Sequence, residues 1–105
     1  PTASYELVAR AVEVAKEQGT PVRVGSVVSS DAFYGDNPES SKAWRKMGVL
    51  CVEMECAALF IVSSTRGKRA GAIMNWGDMN ETIQTACDAV RLLIGQDKAN
   101  SEQGG

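Results

Sequence analysis

The run Val49-Leu50-Cys51-Val52-Glu53-Met54-Glu55-Cys56-Ala57-Ala58 passes directly from a short, partly β-branched apolar stretch into an alanine-led helical pattern, with two glutamates at the join. The first part reads as a buried strand and the second as a helix, so the chain must accommodate a strand-to-helix junction that carries charge. Burying a carboxylate there costs roughly several kcal/mol unless it is hydrogen-bonded or paired. One set of donors is a sugar diol, whose adjacent hydroxyls donate to a single carboxylate while the Met54 thioether packs on the apolar face of the ring. The same glutamates also suit the first turn of a helix, where the macrodipole favours negative charge by ~0.3–1 kcal/mol. The residues alone leave both readings open.

Around this junction the pattern alternates. Leu7, Val8, Ala11, Val14 and Ala15 recur at helical spacing, with Ser4 or Thr2 as cap and Gly19 as stop. Pro21 opens a β-rich run, residues 22–28, that ends in Ser29-Ser30-Asp31. Asp31 suits a loop cap formed through its own backbone. A loop containing Gly35, Asp36, Asn37 and Pro38 precedes a short helix from Glu39 to Met47, which Gly48 breaks. The helix after the junction continues to Gly67, residues 69–76 read as a further strand, and Thr82 to Ile94 as a helix with Ile83, Ala86, Val90 and Leu93 on one face. Residues 1–95 are expected to form the domain, and the polar stretch 96–105 a disordered tail. Alternating helices and strands define an α/β layer structure, in which ligands bind at the carboxyl ends of strands. Residues 29–34, 53–55 and 75–78 all fall at such ends.

Composition removes several functions. Net charge is −2, which argues against sequence-independent nucleic-acid binding, a function that needs a basic stripe. Lys42, Arg45 and Lys46, and likewise Arg66, Lys68 and Arg69, suit solvated helix ends. The chain has 3 cysteines and no histidine, so neither a metal site nor a disulfide framework is expected, and Ser-His-Asp or Cys-His chemistry is excluded. A reduced, cytoplasmic setting is expected, with no membrane span and no cleavable signal.

Val52-Glu53-Met54-Glu55-Cys56-Ala57-Ala58 resembles the ribose-binding signature of the nucleoside phosphorylase family, which includes purine nucleoside and uridine phosphorylases. Ser29-Ser30-Asp31-Ala32-Phe33-Tyr34 is similar to a second motif of that family, in the same order. Between and beyond them, residues 44–49 and 66–71 resemble the family's flanking helix and turns, and Ile73-Met74-Asn75 leans towards the uridine branch. The resemblance implies a three-layer phosphorylase-like α/β sheet with flanking helices, of which only the carboxyl-terminal half of the family domain is present.

It also implies roles. Glu55 accepts the ribose hydroxyls, Met54 packs on the ribose, Glu53 assists the sugar or orients the backbone, and Phe33 stacks on the base with Tyr34 beside it in the motif. Apolar burial is the ordinary role of Phe33 and Tyr34, and Met54 equally suits core filling. Asp78, at the place where purine-type members and nucleosidases carry an aspartate, is the catalytic candidate: a carboxylic acid held protonated could donate to the departing base. Here it stands in a Gly-Asp pair where the family has Ser-Asp, and the family's following loop is absent. The implied activity is reversible phosphorolysis of a ribonucleoside, of uridine or purine type, to free base and ribose 1-phosphate. Inorganic phosphate is the co-substrate, with no cofactor and no metal. The phosphate site belongs to the missing half, so a homo-oligomer or a separate amino-terminal half is expected as partner. Two alternatives stand beside it: a truncated nucleoside-binding or assembly domain without catalysis, and a nucleosidase that hydrolyses the N-glycosidic bond.

Overall fold

The computed structural model describes residues 1–31, 38–75 and 79–104. In chain order the elements are α1 (Tyr5–Gln18), β1 (Val27–Ser29), α2 (Pro38–Lys46), β2 (Cys51–Glu53), α3 (Cys56–Thr65) and α4 (Met79–Gly104). They fall into two compact units, one comprising residues 1–2 and 23–67 and the other residues 3–22 and 68–105. A small parallel sheet with helices places the chain in the α/β class.

In the first unit β1 and β2 pair in parallel, with Val27 opposite Cys51, Val28 opposite Val52 and Ser29 opposite Glu53. Hydrogen bonds from Leu50 N–H to the Ser26 carbonyl (2.9 Å) and from Ser30 N–H to the Glu53 carbonyl (2.8 Å) extend the ladder at both ends. Just before it, Gly25 lies so close to Leu50 that an added Cβ would stand 2.9 Å from Leu50 Cδ1. The strand expected over residues 22–28 therefore shortens and slides: Val22 and Val24 are exposed, and ordered pairing begins only where the second strand lies alongside. α2 opens on Pro38, whose missing N–H costs nothing at a first helical position. It ends as the sequence predicts: Gly48 adopts φ 81°, and Gly48 N–H and Val49 N–H return to the Arg45 and Trp44 carbonyls, at 3.0 and 3.1 Å. No residue of α2 is buried.

The second unit is a pair of helices. Thr85, Ala89 and Leu93 of α4 recur every fourth position and are buried, as are Val14 and Ala15 of α1. The Thr85 hydroxyl donates to Gln18 Oε1 at 2.8 Å, which ties the end of α1 to the early turns of α4. The predicted stop at Gly19 is observed at φ 72°, with Thr20 N–H returning to the Ala15 carbonyl at 2.9 Å. Ser4 takes the N-cap position of α1 but its hydroxyl does not cap the helix; it accepts the Ala70 N–H at 3.0 Å, while Ser4 N–H donates to the Ala70 carbonyl at 2.8 Å.

Two expectations change here. The strand expected over residues 69–76 is not formed among the described residues 69–75. Among the described residues of its unit no strand lies beside this segment, so apart from the single Ser4–Ala70 backbone bond a β-prone sequence has no ladder to join. The disordered tail expected from Gln96 is instead continuous with α4 to Gly104. That stretch holds no proline, and Asp97 pairs with Arg69 through contacts of 2.5 and 3.4 Å. The Arg69 guanidinium holds the Asp97 carboxyl below its usual range.

Candidate functional site

The site is the junction between β2 and α3. Side chains of paired residues in a parallel ladder share a face, so the register that sets Ser29 opposite Glu53 brings the last residues of the two strands together. Cys51, two residues before Glu53, shares that face. The Ser29 hydroxyl donates to Glu53 Oε1. Glu53 Oε2 accepts the backbone N–H groups of Glu55 at 2.6 Å and Cys56 at 2.7 Å, and the Cys56 thiol also donates to this carboxylate. Ser29 Oγ in turn accepts the Ala57 N–H at 2.9 Å.

The opening N–H groups of α3, which no intrahelical carbonyl can reach, are thus satisfied by a glutamate two residues before the N-cap and by a serine from the other strand. Glu55 holds the N-cap position and its side chain makes no capping bond. Its carbonyl takes the first helical bond, from Leu59 N–H at 3.0 Å.

The electrostatics follow from this network. Partial burial raises the Glu53 pKa, but the bonds from Ser29, Cys56 and Glu55 together outweigh it and hold the carboxyl down at about 2. Burial, with the bond and negative charge of Glu53 added, pushes the Cys56 thiol up to about 11. Burial and then the Glu53 charge raise Cys51 as well.

The two glutamates of the signature therefore differ. Glu53 is ionised and its oxygens are committed to the protein. Among the described residues the Glu55 carboxylate has no hydrogen-bonding or ionic partner, and it is exposed beside Met54, whose relative exposure is 44%. Of the two readings of paired glutamates at this junction, Glu53 fits the helix-start one, and Glu55 stays free to meet a ligand. Met54 is not core filling, since its side chain faces solvent.

Phe33, Tyr34 and Asp78 lie outside the described residues. Asn75 belongs to the second unit, where its amide donates to Met79 Sδ at 3.3 Å. Residue-by-residue reading passed over Ser29 as an individual contributor. The signal was present in the sequence: a hydroxyl closes one short β-prone run and a carboxylate closes the next. Among the described residues no group of three His, Cys, Asp or Glu side chains is placed to hold a metal ion. No helix among them is long and apolar enough to cross a membrane.

A parallel strand pair whose second member feeds a helix defines an α/β protein, and the carboxylate at the turn makes the carboxyl end of its strands the candidate site. The chain belongs to the phosphorylase superfamily, which it matches over residues 1–97. This is the family to which the two motifs pointed. A purine nucleoside phosphorylase of DeoD type from Clostridium beijerinckii is 47% identical over 78 residues, covering 74% of this chain and 33% of that protein. Proteins of the same name from Caldanaerobacter subterraneus and Roseobacter denitrificans are each 42% identical, over 103 and 82 residues, covering 90% and 78% of this chain. The chain spans 33% to 44% of the length of these relatives.

Proposed function

We propose that these residues form the nucleoside-facing part of a nucleoside phosphorylase of purine type, whose reaction is reversible phosphorolysis of a ribonucleoside to free base and ribose 1-phosphate. The observation that carries this reading is the division between the two glutamates: Glu53 is consumed by the helix start, and the Glu55 carboxylate stands open to solvent next to the Met54 thioether. Cleaving an N-glycosidic bond builds positive charge on the sugar and negative charge on the base, so a catalyst must hold the sugar and protonate or neutralise the base. Glu55 accepts the ribose hydroxyls and Met54 packs on the ring. Phe33, with Tyr34, serves the base, where an offset aromatic contact adds ~0.5–1.5 kcal/mol beyond area burial. Asp78, held protonated, donates to a purine nitrogen as the base departs.

The names of the relatives support a purine over uridine. Inorganic phosphate enters as co-substrate, held by the remainder of the three-layer domain or by a second copy of the chain in a homo-oligomer. Nucleotide salvage in the cytoplasm is the setting this activity fits. A second reading is binding of the nucleoside without turnover, for which the exposed Glu55 and Met54 suffice.

The test is to incubate the folded chain with adenosine, inosine and uridine, with and without phosphate, and to follow base release by chromatography. Phosphate-dependent release of a purine base is expected. Release from uridine alone would move the chain to the uridine type, release without phosphate would make it a nucleosidase, and binding without release would leave the second reading. Glu55→Ala should weaken ribonucleoside binding at least tenfold, leave 2′,3′-dideoxynucleoside binding unchanged and leave stability within about 0.5 kcal/mol, because among the described residues the carboxylate has no bonding partner. Equal loss for both ligands would refute its role on the ribose.

A further inference from the structure

We propose that Ser29 is a positioning residue for the ribose site: its hydroxyl, by donating to Glu53 and accepting from Ala57, locks the start of α3 so that Glu55 and Met54 are presented to ligand in one orientation. The inference rests on the nucleoside reading above and extends it to a residue with no side chain in the exposed pair.

Three features of the geometry carry it. Ser29 lies on the opposite strand, so the Ser29–Glu53 bond spans 24 positions of chain and is set by the strand register. The oxygen is used in both directions at once. It gives its proton to Glu53 Oε1, which leaves a lone pair directed at the Ala57 N–H at 2.9 Å. Glu53 Oε2 then holds the next two donors, Glu55 and Cys56, at 2.6 and 2.7 Å. Ser29 and Glu53 thereby fix three successive backbone N–H groups, those of residues 55 to 57. Glu55 is one of them, and Met54 is bracketed between Glu53 and Glu55. The backbone carrying the exposed pair is set by a hydroxyl that the ligand does not have to touch. Charge-assisted hydrogen bonds are the strong ones, and the three bonds that end on the Glu53 carboxylate are of that kind.

Alanine at position 29 removes both functions of the oxygen. Glu53 loses one donor, and the Ala57 N–H is released to water. Threonine retains the hydroxyl at a strand-compatible position, so Ser29→Thr serves as the conservative control.

The experiment compares wild type, Ser29→Ala and Ser29→Thr. Carboxyl-detected NMR follows the titration of Glu53. Calorimetry follows adenosine against 2′,3′-dideoxyadenosine at pH 7. In Ser29→Ala the Glu53 carboxyl should titrate higher than in wild type and adenosine affinity should fall about tenfold at pH 7. Dideoxyadenosine, which keeps the ring that Met54 packs on but lacks the hydroxyls that Glu55 accepts, should lose clearly less than adenosine, and Ser29→Thr should restore both the titration and the affinity.

An unchanged Glu53 titration in Ser29→Ala overturns the proposal, as does an equal loss for adenosine and dideoxyadenosine in a variant whose circular dichroism matches wild type. Wild type that binds neither ligand refutes the nucleoside reading itself. The positioning of α3 is then decided by the Glu53 titration and by hydrogen exchange of the residue 55–57 amides, which must quicken in Ser29→Ala and recover in Ser29→Thr.

Discussion

Replacing Glu53 with glutamine removes the charge at the centre of the junction while retaining its shape. Glutamine offers one oxygen where the carboxylate offers two, and its amide nitrogen faces N–H groups that it cannot accept from. The free-energy consequence follows from linkage. The folded carboxyl titrates at about 2 and an ordinary one at 4.5, a gap that corresponds to about 3 kcal/mol of stability at neutral pH. Glu53 is only partly buried, and screening by water brings the expected effect to roughly 1.5–2 kcal/mol. The folded pKa lies below the unfolded one, so this contribution is fully present above pH 4.5 and is lost as pH falls towards 2.

Urea unfolding followed by circular dichroism at 222 nm, on wild type and Glu53→Gln at pH 7, 4.5, 3 and 2, reads the difference directly. With a slope of about 1 kcal/mol/M for a chain of this size, the midpoints should differ by roughly 1.5–2 M at pH 7. They should nearly converge at pH 2, where about half of the wild-type carboxyls are protonated and most of the linkage contribution has gone. A difference that persists unchanged to pH 2, or equal stability at pH 7, would refute the assignment of Glu53 as an ionised helix cap.

Other consequences concern both units. Leu93→Ala empties a buried position on α4 and should lower stability by about 2 kcal/mol, the low end for leucine truncation because the surrounding core is small; urea midpoints at constant slope check it. Gly19→Ala forces a side chain into φ 72° at the end of α1 and should cost about 1 kcal/mol in the same assay. Thiol labelling at pH 8 should modify the exposed Cys87 first and spare Cys56, which is buried and has its thiol pushed up to about 11. Faster labelling of Cys56 than of Cys87 would contradict the closed junction.

Much of the local structure could be read from residue order because its causes are local. Gly19 and Gly48 end helices through their own left-handed backbone, and each brings the carbonyls of the preceding turn into reach. On α1 the face that the helical period predicts ends in the buried Val14 and Ala15, whereas on α4 the predicted face of Ile83, Ala86, Val90 and Leu93 holds only at Leu93: Ile83, Ala86 and Val90 are exposed, and Thr85 and Ala89 are buried in their place because the helix turns the Thr85–Ala89–Leu93 row inward. The strand–glutamate–helix order around residues 49–58 placed the junction between β2 and α3, and two motifs pointed to the phosphorylase superfamily.

Strand extent was less legible, since a strand exists only where another backbone accepts its bonds. That partner made residues 27–29 ordered where 22–28 had been expected, and its absence left residues 69–75 without a ladder. Residues 96–104 were read from polarity alone, which separates exposed from buried but does not separate an exposed helix from a disordered tail.

The composition and order of this chain determined by themselves that it would be an α/β protein with charge at a strand-to-helix turn, because hydrophobic period and helix-stopping glycines act over a few residues. Only the tertiary structure decided which glutamate is spent and which is free. That choice depends on the register between strands remote in sequence, which sets Ser29 beside Glu53 and leaves Glu55 facing water.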